Sequence, residues 1–352
     1  MSRFETIGKS KQFYEFLKNE IMSGEYKPGE KFPSIRNLAE KYGISKITVN
    51  SVISNLVNEG LLYVEQGKGT FVAHKNNLTG QSKRIIGVML IDFSLENNVE
   101  ALMFNSIQKE LKDNYFLVPY NSFNKSSNFY KGLKGFIDLE VDGMILVPPT
   151  PEDYDEGEIR KIVNKNISTV IINREISSIK ADYLYVDFTE SVYLGTRTML
   201  DRGKEKIALI LNNSPSVDRR IYEGYERAHL EKNLEIDRNM VKNWPDEIEI
   251  REQDLEEFVR SIDGLIGSDY IIHKFRKAIN NVDKRIPEDI SILGINDTIY
   301  SKFMTPPLTA VAYPSEKVGV EALRLLMDQI ENGRKENVKK SIKPELIYRL
   351  SL

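Results

Sequence analysis

The chain reads as an α/β protein in two folding units, a small helical head that closes with a β-hairpin and a larger body built on parallel sheets. Three observations predict this. Residues 28–73, KPGEKFPSIRNLAEKYGISKITVNSVISNLVNEGLLYVEQGKGTFV, pack two short amphipathic helices and a hairpin into one stretch. From residue 85 onward, continuous apolar runs alternate with amphipathic helices, the pattern of strands covered on both faces. Between them HKNNLTGQSKR, residues 74–84, is polar and without periodicity, the composition of a linker. The expected boundaries are a head over 1–73, a linker over 74–84 and a body over 85–352, and 352 residues suit two to three domains.

In the head, a first helix over about Lys9 to Ser23 turns Phe13, Phe16, Leu17 and Ile21 inward. Pro33 and Ser34 open the second helix, whose Ile35, Leu38, Ala39 and Tyr42 fall at i, i+3, i+4 and i+7, and Gly43 stops it. Ser45 can cap a third helix with the apolar stripe Val49, Val52, Ile53, Leu56 and Val57, which leaves Lys46, Thr48 and Asn50 near its N-terminal end. Gly60 ends it. Two short helices joined by a tight turn make a helix-turn-helix, in which the start of the second enters the DNA major groove. Leu61 to Val64 and Thr70 to Val72 then flank Glu65-Gln66-Gly67-Lys68-Gly69, a glycine-containing reversal and hence a hairpin wing.

These landmarks, SGEYKPGEKFPSIRNLAEKYGISKITV followed by NEGLLYVEQGKGTFV, resemble the winged helix-turn-helix of the GntR regulators. The resemblance implies that Ser34, Arg36, Ser45, Lys46 and Thr48 contact double-stranded operator DNA and that the wing tip Gln66, Gly67 and Lys68 reaches the minor groove. Lys46 stands where family members often carry Arg, and Asn50 where many carry a second Arg. Lysine lacks the bidentate fork that suits guanine, while asparagine matches adenine N6 and N7, so a different operator is expected.

Composition agrees with this division. Residues 1–75 hold 11 basic and 8 acidic side chains, +3, which leaves −6 of the total −3 for the rest. A mildly basic head suits a polyanion and an acidic body does not. No apolar run approaches the roughly 18 residues of a membrane span and the N-terminus lacks a signal-peptide core, so the expected location is cytoplasmic, with no membrane partner. Absence of cysteine excludes disulfides, thiol nucleophiles and Cys-ligated metal, and His74, His229 and His273 are too scattered for a zinc site. No metal and no cofactor is expected.

In the body, strands are predicted at 85–92, 115–121, 142–149 and 168–174, with helices around 98–113, 127–139 and 153–165. A second set opens with a strand over 183–188 and a helix over 189–202. It continues with strands at 206–212, 264–268 and 291–296, helices at 217–232, 269–281 and Pro314 to Asn332, and a final strand around Lys339 to Tyr348. Two similar α/β halves follow, and in open sheets of this kind ligands bind beyond the carboxyl ends of the strands.

IIGVML, DGMILVPP, VIINRE, YVDF, RGKEKIALI, RRIYEGYERAHLEKNLEID, DGLIGSDYI, RIPEDISILGIND and TPPLTAVAYPSEKVGVEAL resemble the effector domain of the LacI/GalR regulators, a periplasmic-binding-protein-like fold. A GntR-type head on such a domain resembles the arabinose-repressor-type members of the GntR family. The resemblance implies a homodimer that takes a small-molecule effector, a sugar or related metabolite, between two subdomains. It places Asp92, Phe93, Asn173, Arg219 or Arg220, Ser268, Asp269, Asn296 and Asp297 at the pocket, and Trp244 is a loop aromatic that could cover a sugar face or simply pack. The family's Arg-x-x-Gly spacing falls on Ile221, Ser268 replaces the usual Asn, and Asn296 the usual Asp. Asp269 and Asn296 equally suit helix capping.

The expected function is therefore a sequence-specific transcriptional repressor of carbohydrate-utilisation genes, released from its operator by a sugar. The alternatives are a corepressor-dependent regulator answering a nucleoside or other metabolite and, remotely, an enzyme carried on a DNA-binding head. Against the last, the body has no G-x-S-x-G, no P-loop and no G-x-G-x-x-G after a strand.

Overall fold

A computed structural model describes residues 3–65, 67–73, 83–93, 99–150, 154–163, 167–244 and 249–352. It divides into two compact units, Met1–Arg84 and Ile85–Leu352.

The first unit runs α1 (Arg3–Met22), α2 (Ile35–Tyr42), α3 (Lys46–Asn58), β1 (Leu62–Glu65) and β2 (Gly69–Val72). Helix α1 begins about two turns earlier than its apolar stripe predicts. Ser34 caps α2 by accepting the Asn37 N–H at 3.2 Å, and Gly43 ends it at φ +64°, a conformation open to glycine at little steric cost. Ser45 caps α3 through the Thr48 N–H at 3.1 Å. Phe13 and Leu17 of α1, Leu38 of α2, and Val49, Val52 and Leu56 of α3 close one core over Leu62 and Val72 of the hairpin. β1 and β2 pair antiparallel from Leu62↔Val72 to Glu65↔Gly69. The segment before α2 also joins this hairpin, with Lys31 bridged to Phe71 and the Phe32 N–H on the Thr70 carbonyl at 2.8 Å.

The second unit begins with β3 (Arg84–Leu90), α4 (Val99–Glu110), β4 (Tyr115–Asn121), α5 (Ser126–Asp138), β5 (Gly143–Leu146), α6 (Glu156–Ile162), β6 (Ser168–Ile172) and β7 (Asp182–Val186). It continues with α7 (Thr189–Asp201), β8 (Ile207–Leu211), α8 (Pro215–Glu231), β9 (Val241–Asn243), α9 (Glu252–Ser261), β10 (Gly264–Ser268), α10 (Asp269–Asn281) and β11 (Ser291–Asn296). The last elements are α11 (Ile299–Phe303), β12 (Thr309–Ala312), α12 (Ser315–Asn332), β13 (Lys339–Ile342) and β14 (Glu345–Ile347). Two six-stranded sheets result, in the orders β13-β7-β6-β5-β3-β4 and β14-β12-β11-β10-β8-β9. β3, β5, β6, β7 and β13 pair in parallel, and so do β9, β8, β10, β11 and β12, while β14 is an antiparallel edge.

Two assignments made from the sequence change here. The strand over 183–188 does not open the second half, because β7 pairs with β6 and completes the first sheet. The single strand expected over Lys339 to Tyr348 is two strands in different sheets, broken at Pro344, which has no N–H to give a ladder. The short elements β9, α9, α11 and β12 have no counterpart in the sequence reading; α9 buries only Leu255 and Val259, too thin a stripe to register as a period.

Helix α7 follows a strand of the first sheet yet packs on α8 and β11, and α12 follows a strand of the second yet packs on α4 and β5 to β7. The chain thus passes between the two subdomains after β7, after β12 and between β13 and β14. Close packing fixes these passages. A Cβ on Gly319 of α12 would stand 2.5 Å from the Met103 carbonyl of α4, and one on Gly224 of α8 2.3 Å from the Thr189 carbonyl of α7. Asp182, fully buried at the start of β7, accepts from Arg334, from Gln329 Nε2 at 2.7 Å and from the Val338 N–H at 2.8 Å. It thereby fastens the end of α12 and the approach to β13 onto the first sheet.

Candidate functional site

On the head, most of the residues named from the sequence are exposed. Arg36 is 76% exposed and pairs with Glu40 at 2.9 Å on the same helix. Lys46 and Asn50 are exposed. The hydroxyls of Ser45 and Thr48 lie 2.8 Å apart, so both are engaged in the cap of α3. At the wing Gly67 takes φ +80°, and Lys68 pairs with Glu65 at 3.0 Å. Gln66 lies outside the described residues.

In the second unit the strand ends of both sheets face a cleft of about 500 Å³, within the roughly 300–1,000 Å³ of small-ligand pockets. Of the residues expected there, Asp92, Asn173, Ser268 and Asn296 line it. Asn173 sits at φ +65° just beyond β6, where its Oδ1 accepts the Val186 N–H at 3.0 Å and its Nδ2 donates to the Tyr313 hydroxyl at 3.0 Å. Since Tyr313 ends the second sheet, this bond ties the two subdomains. Ser268 both lines the cleft and caps α10, its Oγ accepting the Ile271 N–H at 3.2 Å.

The other expected residues are elsewhere, each for a packing reason. Phe93 packs edge-on against Phe104 at 5.6 Å, beside the core. Trp244 stacks on Phe275 and meets Phe258, in the apolar cluster behind the second sheet. Asp269 is 1% exposed and its carboxyl Oδ2 accepts the Thr298 N–H, while Asp297 pairs with Arg349 Nη1 at 2.7 Å. Burial pushes the Asp269 carboxyl up to about 7. Arg219 projects outward, 72% exposed and 3.6 Å from Glu223. Arg220, one helix position on, is 7% exposed, donates to the Asn173 carbonyl at 3.2 Å and lies over the Tyr185 ring. With Arg219, Tyr183 and Tyr185 it lines a second, separate cleft instead.

Three charged residues of the cleft are absent from the sequence reading. Arg174 is 8% exposed, and its Nη1 donates to the Pro148 carbonyl at 3.0 Å on one wall while its Nε donates to Ser214 Oγ at 2.9 Å on the other. Glu100, in the first turn of α4, accepts the backbone N–H groups of Ile91 and Asp92. By exposed area it is half-buried, yet protein atoms crowd its carboxyl, and this desolvation raises it to about 7 against the opposing pull of those N–H groups and Arg174. Asp218 of α8 accepts the Ser214 N–H at 2.7 Å. VIINRE carried Arg174 in plain view, but nothing local distinguishes an arginine that crosses a cleft from one in solvent. The position where Arg-x-x-Gly spacing would put an arginine is Ile221, and it lines the cleft as an apolar wall.

Donors and acceptors from both walls, with apolar surface between them, suit a small polar molecule, and the head has the fold of a winged helix-turn-helix. The class so defined is a ligand-responsive DNA-binding regulator. Residues 9–72 match the model of the bacterial regulatory proteins of the gntR family, and residues 196–352 that of a periplasmic binding protein-like domain. The chain thus carries a GntR-type DNA-binding domain and, over its second part, a periplasmic-binding-protein-like domain. It is 26% identical over 335 residues to an arabinose metabolism transcriptional repressor of Halalkalibacterium halodurans, covering 91% of this chain and 88% of that protein. In fold it is similar to the transcription regulator CcpA of Lactococcus lactis, with a TM-score of 0.66 and 21% identity over 76% of this chain and 99% of the other. It is also similar to a LacI family regulator from Enterococcus faecium with bound ribose, with a TM-score of 0.62 and 22% identity over 76% and 98% of the two chains. No helix among the described residues is long and apolar enough to cross a membrane.

Proposed function

We propose that this protein is a homodimeric repressor of carbohydrate-utilisation genes that leaves its operator when a small sugar enters the cleft. Residues 1–73 would act as the DNA-binding head, 74–84 as linker and 85–352 as effector and dimerisation domain. The observation that carries the reading is the cleft's chemistry. Asp92, Glu100, Asn173, Arg174, Asp218 and Asn296 offer both acceptors and donors around an apolar floor, as sugar hydroxyls and their carbon faces require. Its volume suits a monosaccharide or disaccharide, and the similarity to an arabinose repressor and to a ribose-bound regulator favours a pentose.

The mechanism is linkage. A ligand held by both walls favours the arrangement that brings them together; if the operator favours another, each ligand weakens the other's binding by one factor. A two-fold dimer presents two recognition helices to a palindromic site, and the second head then binds at high effective concentration.

The test is thermal unfolding against L-arabinose, D-ribose, D-xylose, hexoses, pentose phosphates and nucleosides, followed by operator titration with the stabilising compound. A sugar at 100 times its Kd should stabilise the fold by about 2.7 kcal/mol and weaken operator binding. Stabilisation by nucleosides alone would refute the sugar assignment, and tighter operator binding with the sugar would replace induction by corepression.

A further inference from the structure

The outward face of α3 is nearly uncharged and carries an apolar side chain at its centre. At 100° per residue, the buried stripe Val49, Val52, Ile53 and Leu56 occupies one side of the helix. Ile47, Asn50, Ser51 and Ser54 run along the opposite side, and Lys46 is the helix's one charged residue. Ile47 is 83% exposed in the first turn, between exposed Lys46 and half-buried Thr48, so the head's core has no use for it. Isoleucine is also a weaker helix former than alanine or lysine, so helix stability does not account for it either.

The start of the second helix of a helix-turn-helix enters the major groove, where thymine alone among the bases presents a methyl group. We propose that Ile47 is a base-reading residue that packs on the 5-methyl group of a thymine in each operator half-site. Asn50, one turn on, lies on the same face and is suited to adenine. The inference rests on the DNA-binding reading and adds to it a base that the charged residues do not read.

The test removes the methyl group and nothing else. The full chain selects its preferred duplex from a randomised pool, and binding is then measured at fixed salt for duplexes in which each dT in turn becomes dU. Wild type should bind about fourfold more weakly at one thymine of each half-site, the worth of roughly one buried methyl-sized group. Ile47→Ala, which keeps the helix because alanine is the stronger helix former, removes the contact from both heads of the dimer at once, so it should bind the parent duplex about 16-fold more weakly, about fourfold for each half-site, and treat dT and dU alike. If every dT-to-dU exchange leaves wild type unaffected, or if Ile47→Ala retains the same dT/dU ratio, the inference is overturned. Selection of no duplex at all would refute the DNA-binding reading, and the inference with it.

Discussion

Ser214→Ala removes the hydroxyl on which Arg174 closes the cleft, and its effect can be worked from the geometry. Arg174 Nε donates to Ser214 Oγ at 2.9 Å across the gap, while Arg174 Nη1 stays anchored to Pro148 on its own wall. The substitution therefore unfastens the walls without releasing the guanidinium. A hydrogen bond to a charged group contributes about 1.5–3 kcal/mol. If this one exists only when the walls are this close, its loss shifts the closing equilibrium by that amount, and a ligand that binds the closed form loses roughly 10- to 150-fold in affinity. The assay is calorimetric titration of the sugar found by thermal unfolding, run on wild type, Ser214→Ala and Arg174→Lys. Lysine offers a point charge in place of the fork, so a loss between the other two is expected. A Kd for Ser214→Ala within twofold of wild type, in a protein that still unfolds cooperatively, would refute the argument that this bond holds the ligand-binding arrangement.

Three further outcomes follow from packing and charge. Asp182→Ala leaves the Val338 N–H without its acceptor, while Arg334 keeps Asp328 and Gln329 Nε2 keeps the Thr169 carbonyl, so the cost is that of one unsatisfied buried donor, about 1–3 kcal/mol, read as a lowered urea midpoint. Gly319→Ala places a Cβ 2.1 Å from Ser106 Oγ and 2.5 Å from the Met103 carbonyl, so α12 must retreat from α4 at about 1–3 kcal/mol or more, which a melting curve detects. Burial raises Asp269 from 3.8 to about 7. The folded state then holds its proton where the unfolded state has lost it, and this contribution to stability is complete below pH 4 and lost as pH rises to about 7. Glu100, raised to about 7, acts in the same direction. Urea titrations from pH 4 to 7 should show wild type losing stability relative to Asp269→Asn, on the order of 3–4 kcal/mol; parallel curves would contradict the buried neutral carboxyl.

The sequence by itself determined the local architecture. Ser34, Gly43, Ser45 and the apolar spacing of α2 and α3 specify a helix-turn-helix because caps and periodicity act over a few residues. The same holds for most body strands, whose buried runs stand out wherever they fall. Only the tertiary structure decided membership and orientation. β7 reads as the start of a second half until β6 pairs with it, and the tail reads as one strand until Pro344 sends its two parts to different sheets. Arg219 and Arg220 are neighbours in sequence, but 100° of helix rotation puts one in solvent and the other against Asn173. The cleft draws Asp92, Arg174, Ser214 and Asn296 from strand ends far apart in the chain. Their convergence depends on how two sheets pack around three chain crossings, and no short stretch of sequence encodes that distance.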